Sequence, residues 1–169
     1  MKKKNILILL FLLLIATSGC KVNYSFSGGS IDPKIKTISI QYFPNNSILV
    51  QPTLSQVFTE ALKDKFSSQT KLLLVKKGGD LNIEGAITGY NTQPVAIQGN
   101  QTAAMNRLTI TVNVKFTNIL DEKQNFEQTF SRYEDYLSSQ NLSAVEATLI
   151  KDIDDMLVED IFNKTVVNW

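Results

Sequence analysis

Residues 108–117 read Leu108-Thr109-Ile110-Thr111-Val112-Asn113-Val114-Lys115-Phe116-Thr117, in which five apolar side chains alternate strictly with polar ones. Successive side chains of an extended chain point to opposite faces, so this stretch is a strand with one buried and one wet face. That pattern belongs to an antiparallel sheet covered on a single side. Asp121-Glu122-Lys123-Gln124-Asn125 supplies a turn, and residues 126–133 return as the hairpin partner.

Upstream, Leu81, Ile83, Ala86 and Tyr90 mark another strand, and Gly85 and Gly89 within it point to a bulge or a close backbone approach. A short apolar run at 72–75 reads as the first part of this strand, interrupted by Lys76-Lys77-Gly78-Gly79 as a hairpin tip or edge break. Thr37-Ile38-Ser39-Ile40-Gln41-Tyr42 also alternates and is a half-buried strand following the turn at Asp32-Pro33. Residues 92–105, rich in Gln, Thr and Asn and weakly charged, have no period and read as a loop or irregular strand extension suited to packing on another protein.

Two helices complete the set. Leu54, Val57, Phe58, Ala61, Leu62 and Phe66 recur at spacings of three and four, with Ser55, Gln56, Glu60, Lys63 and Asp64 opposite and Thr53 with Gln56 as a capping box. The last element opens at Asn141 or Ser143, with Ser143 and Glu146 as a second capping box, and places Val145, Leu149, Ile153, Met156, Leu157, Ile161 and Val166 on one face. The order strand, helix, three strands, helix predicts an α+β two-layer sandwich, with two helices packed on one face of a four-stranded, mostly antiparallel sheet.

The 169-residue chain has no histidine and one cysteine. The missing imidazole removes the commonest general base, the Ser-His-Asp and Cys-His systems and histidine-ligated zinc. A single cysteine excludes internal disulfides and thiolate metal cages. No GxSxG elbow, HExxH frame or phosphate-binding GxxxxGK[ST] loop occurs. Glu146, Asp152, Asp154, Asp155, Glu159 and Asp160 gather in the last helix, where they read as its solvated face and not as a cation site. Neither an enzymatic activity nor a metal or cofactor is expected.

The N-terminus carries an address. Lys2, Lys3 and Lys4 precede ten apolar residues, Ile6 to Ile15, and then Ala16-Thr17-Ser18-Gly19-Cys20. This is the layout of a secretory signal peptide, and the apolar run falls short of the roughly 20 residues that span a bilayer. Ser18-Gly19-Cys20 resembles a bacterial lipobox, which implies cleavage before Cys20 and lipid attachment to it. Residues 1–19 are thus read as a lipoprotein signal peptide, 20–30 as a lipidated tether containing Gly28-Gly29, and 31–169 as the domain. Loss of residues 1–19 leaves 14 basic against 16 acidic side chains, a balance that gives no pull on nucleic acid. Lys21 follows the cysteine in place of an acidic inner-membrane retention residue, so the expected place is the outer membrane, facing the periplasm.

Residues 37–45, the run Pro52-Thr53-Leu54-Ser55-Gln56-Val57-Phe58-Thr59-Glu60-Ala61-Leu62-Lys63-Asp64-Lys65-Phe66, Gly85-Ala86-Ile87-Thr88-Gly89-Tyr90 and Asp160-Ile161-Phe162-Asn163 together resemble the LptE lipoproteins of Bacteroidetes, across essentially the whole chain after Cys20. The resemblance implies a non-enzymatic component of the lipopolysaccharide translocon, anchored in the outer membrane through Cys20. Its implied partners are lipopolysaccharide and an LptD β-barrel, which it plugs and helps to assemble. From the residues themselves, Arg107 and Lys115 are offered as contacts to lipopolysaccharide or barrel; a local salt bridge serves Arg107 equally well. The alternative is a lipid-anchored periplasmic binding or scaffold module of another envelope complex.

Overall fold

The alternating stretch forms the middle of a long strand in the computed structural model, which describes residues 31–49, 51–95 and 104–167. In chain order the elements are β1 (Thr37–Ile40), α1 (Leu54–Gln69), β2 (Leu73–Val75), β3 (Leu81–Val95), β4 (Met105–Asn118), β5 (Phe126–Leu137) and α2 (Leu142–Phe162). A short 3₁₀ turn, Glu122–Gln124, joins β4 to β5, and a π turn, Asn163–Val167, follows α2. The expected signal peptide and tether lie outside the described residues, as do positions 96–103.

All five strands form one sheet in the order β2-β1-β3-β4-β5. β3, β4 and β5 are antiparallel neighbours, as the alternation predicts, but β1 runs parallel to both β2 and β3. The sheet is therefore five-stranded and mixed, one strand more than expected, with the long antiparallel ladders of β3, β4 and β5 making up most of it. The difference arises at residues 72–90, which form two strands on opposite sides of β1. α1 provides the long crossover that a parallel β1–β2 pair requires.

The chain then crosses β1 within residues 76–80, so Gly78-Gly79 is a crossover and not a hairpin tip or edge break. Gly78 has φ +69, and a Cβ on Gly79 would come within 2.6 Å of the Ser39 backbone nitrogen. Asp80 fastens the crossing, because its Oδ2 accepts from the Lys36 and Thr37 amides at 2.8 and 2.9 Å and from the Thr37 hydroxyl at 3.0 Å. Those donors favour the ionised form and hold the Asp80 carboxyl below its ordinary range.

The core lies between one sheet face and the two helices. Leu108, Ile110, Val112, Val114 and Phe116 of β4 are buried, with Ile38, Leu81, Ile83 and Ile87 on the same side. Phe43 meets Phe58 edge-on at 5.1 Å, and Phe66 meets Phe162 likewise at 5.1 Å. Gly85 makes room for this packing, since a Cβ there would lie 2.7 Å from the Phe43 ring and 2.0 Å from the Asn113 carbonyl oxygen. Gly89 sits at the bulge in the β3–β4 register. β3 and β4 stay paired as far as Val95 and Met105, so Thr92 to Val95 are the strand extension of the two alternatives and not a loop.

α1 is rotated from its expected orientation. Ser55 and Thr59 are buried, whereas Val57 is 42% exposed. Thr59 explains the rotation: its hydroxyl donates to the Ser55 carbonyl at 2.6 Å and accepts from the Phe43 amide at 3.1 Å, seating Phe43 against that side. Neither expected capping box forms as drawn. Gln51 Oε1 accepts from the Thr53 and Leu54 amides, both at 2.8 Å, and the Asn141 side chain accepts from the Ser143 amide at 3.1 Å. Glu146 instead accepts from the Tyr90 hydroxyl, tying β3 to α2.

The acidic series of α2 is not all solvated. Asp154 is only 1% exposed, and neither of its carboxylate oxygens has a hydrogen-bond partner. It lies between Ile153 and the buried pair Leu157 and Val158, on the inward side of the helix. Burial, and then the nearby Asp155, push its pKa up to about 8. The helical period alone places it with its acidic neighbours; the width of the buried face brings it in.

Candidate functional site on the uncovered sheet face

The same alternation that buries one face of β4 leaves the other without a covering helix among the described residues. Arg107, Thr109, Thr111, Asn113, Lys115 and Thr117 line it on β4. The register brings Asn82, Glu84, Asn91 and Gln93 of β3 to one side of them, and Glu127, Thr129, Ser131, Tyr133 and Asp135 of β5 to the other. Hydroxyl and amide groups dominate. Thr111 and Ser131 bond to one another through their side-chain oxygens at 2.9 Å.

Both of its cations are paired. Arg107 donates through Nε and Nη2 to both oxygens of Asp135, at 2.7 and 2.8 Å, and its guanidinium lies 3.6 Å from the centre of the Tyr133 ring. The bidentate bond raises the Arg107 pKa and lowers that of Asp135. Lys115 Nζ donates to Glu84 Oε1 at 2.8 Å, and this bond raises the lysine pKa. Both cations offered from the sequence thus reach this face, each already held by a carboxylate. Asp135, Tyr133 and Glu84 were not singled out from the sequence; period-two spacing places Tyr133 and Asp135 on a common face, but only the β4–β5 register sets them against Arg107.

Chemically this surface can accept and donate many neutral hydrogen bonds and can exchange its ion pairs with a partner. Among the described residues no group of three or more Cys, Asp or Glu side chains is placed to hold a metal ion. A hollow of about 400 Å³ lies at the β4–β5 turn between Lys123 and Lys164, where the Lys164 ammonium stands 5.5 Å from the Phe126 ring. No helix among the described residues is long and apolar enough to cross a membrane.

These features define a two-layer α+β module that presents a flat, polar, uncovered sheet. Solved structures share the fold: a minor lipoprotein from Acinetobacter baumannii (15% identity, 78% of this chain and 92% of that one, TM-score 0.52) and a protein from Xanthomonas campestris (11% identity, 82% and 90%, TM-score 0.53). A hypothetical protein from Chlamydia trachomatis is similar too (11% identity, 79% and 98%, TM-score 0.50). A comparison with curated protein sequences gave no match. Residues 35–165 match the LptE family, described as lipopolysaccharide-assembly, and the chain belongs to that family. It is accordingly a lipopolysaccharide-assembly protein.

Proposed function

We propose that this lipoprotein is the plug and assembly partner of an LptD-like β-barrel in the outer membrane, facing the periplasm and contacting lipopolysaccharide without catalysing a reaction. In this reading residues 1–19 are removed as a signal peptide, Cys20 carries the lipid, 20–30 form the tether and 31–169 the plug domain. The observation that carries the proposal is the uncovered face of β3, β4 and β5. The lumen of an outer-membrane barrel is polar, and a protein seated in it needs hydrogen-bonding groups with few unpaired charges. Thr109, Thr111, Asn113, Thr129 and Ser131 provide such a surface. Membership of the lipopolysaccharide-assembly family supports the same partners. Arg107 and Lys115, at opposite ends of this face, are the proposed contacts to barrel or lipopolysaccharide.

The test is a photo-crosslinker placed in turn at Asn113, on the uncovered face, and at Asp155, on the solvent side of α2. A crosslink from Asn113 to a large β-barrel protein, absent from Asp155, is expected; purification as a lone monomer with no barrel adduct would sink the proposal. Labelling with a palmitate analogue, lost on Cys20→Ser, checks the anchor.

A further inference from the structure

The two edges of the sheet are built differently. β2 is three residues long and is followed by Lys76 and Lys77, the short and charged form that discourages another strand from pairing. β5 is twelve residues long and contains no proline, glycine or lysine. Its register with β4 runs unbroken from Leu137 opposite Met105 to Phe126 opposite Phe116, so no bulge twists it away. Among the described residues nothing pairs with its outer side. Such an edge presents alternate N–H and C=O groups as a template for a further strand.

A groove of about 310 Å³ runs beside this edge, bounded by residues 131–135 and by Met156 of α2. A strand laid there gains backbone hydrogen bonds from β5, and every second side chain of it turns to the helix side, towards Glu134 and Met156. The charge of the rim selects its composition. Glu134 is half-buried in the groove and has no ion pair among the described residues. Asp152, exposed, lies one turn before Met156 on the same flank of α2. Arg132, the cation of β5, is already committed to Asp160 through two bonds of 2.6 and 2.7 Å. A second copy of the chain paired antiparallel through β5 would set two acidic rims together, which like-charge cross-strand pairs disfavour.

We propose that the outer edge of β5 accepts an extended segment of another protein, with apolar and basic residues in alternation, as a sixth strand of the sheet. On the helix side the aliphatic stems of the segment's basic side chains cross Met156 and their charges meet Glu134 and Asp152, while the alternate apolar side chains lie on the other face beside Tyr133. This site is the backbone edge that borders the uncovered face assigned to the barrel, and it stands whether or not that assignment holds.

The experiment is amide hydrogen exchange on the protein purified in detergent, with synthetic ten-residue peptides as probes: alternating valine and lysine, alternating valine and glutamate, and the valine–lysine peptide with every backbone amide N-methylated. Exchange across Phe126–Leu137 is expected to slow about tenfold or more with the first peptide alone, as newly paired edge amides become protected. Glu134→Lys is expected to weaken that peptide about tenfold, the effect of turning a cross-strand attraction into a repulsion. Equal binding of the N-methylated peptide would overturn strand addition, and equal binding of the glutamate peptide would overturn the charge argument. No protection at any peptide concentration overturns the proposal outright; so does protection that grows with protein concentration in the absence of peptide, which would make a second copy the occupant. The peptide series decides the matter on the unmodified protein should Glu134→Lys fail to fold.

Discussion

Asp154 makes the stability of this protein depend on pH in a direction opposite to that of most carboxylates. Its side chain is buried with both oxygens unpartnered, and its pKa rises from 3.8 to about 8. Between those two values the folded chain holds a proton that the unfolded chain has lost, so stability must fall as pH rises. The contribution is whole below about pH 4, and it is lost as the pH climbs through the folded value, with no further change above it. The slope is about 1.4 kcal/mol per pH unit for one proton, or about 3 kcal/mol between pH 5 and 7.

That is a large share of the 5–15 kcal/mol by which domains are ordinarily stable. The window is clean, because the chain has no histidine. Asp80, Asp135 and Glu159, held by donors or cations, have lowered pKa values and change charge further towards acid. Urea unfolding of the chain from Lys21 onward, at pH 5, 6 and 7, measures the slope directly. Asp154→Asn keeps the shape and cannot ionise, so its stability is expected to be flat over the same range. A wild-type stability that is level or rises from pH 5 to 7, or an Asp154→Asn variant that keeps the wild-type slope, would refute the reasoning.

Other outcomes follow from the same geometry. Gly85→Ala drives a methyl group into the Asn113 carbonyl and the Phe43 ring, and is expected to cost about 3 kcal/mol in urea unfolding. Phe43→Ala empties a fully buried site against Phe58 and should cost about 3–5 kcal/mol by the same assay. Asp80→Asn weakens the fastening of the 76–80 crossing, so its melting temperature should lie below wild type at pH 7. Because the Asp80 pKa is lowered, its contribution is present above the unfolded value and fades as pH falls through the folded one, so the two melting curves should converge towards acid.

Much of the architecture was legible because period is a local property. The alternation at 108–117 gave the face of β4 that is buried, and the spacing of three and four gave both helices. Gly85 and Gly89 were rightly read as marks of close approach and bulge. What failed depended on partners distant in sequence. Residues 72–90 look like one interrupted strand until β1 is seen lying between their two halves. Val57 looks like core until the Thr59 hydroxyl, reaching the Phe43 amide, turns α1. Lys115 falls on the polar side of the alternation, whereas Arg107 joins that face only because β4 begins at Met105, and Asp135 and Glu84, the groups that hold them, are 28 and 31 residues away.

The sequence by itself determined the chemistry that is missing and the layers that form. Without histidine and with one cysteine no imidazole or disulfide machinery can be built, and the two periodicities commit the chain to helices on one side of a sheet. Only the tertiary structure decided strand order, the crossing at Gly79, the burial of Asp154 and the contrast between a guarded edge at β2 and an open one at β5. The physical reason is that periodicity records which way a side chain points along its own segment. Register, edge position and burial are set by hydrogen bonds and contacts with residues elsewhere in the chain, and no local pattern carries them.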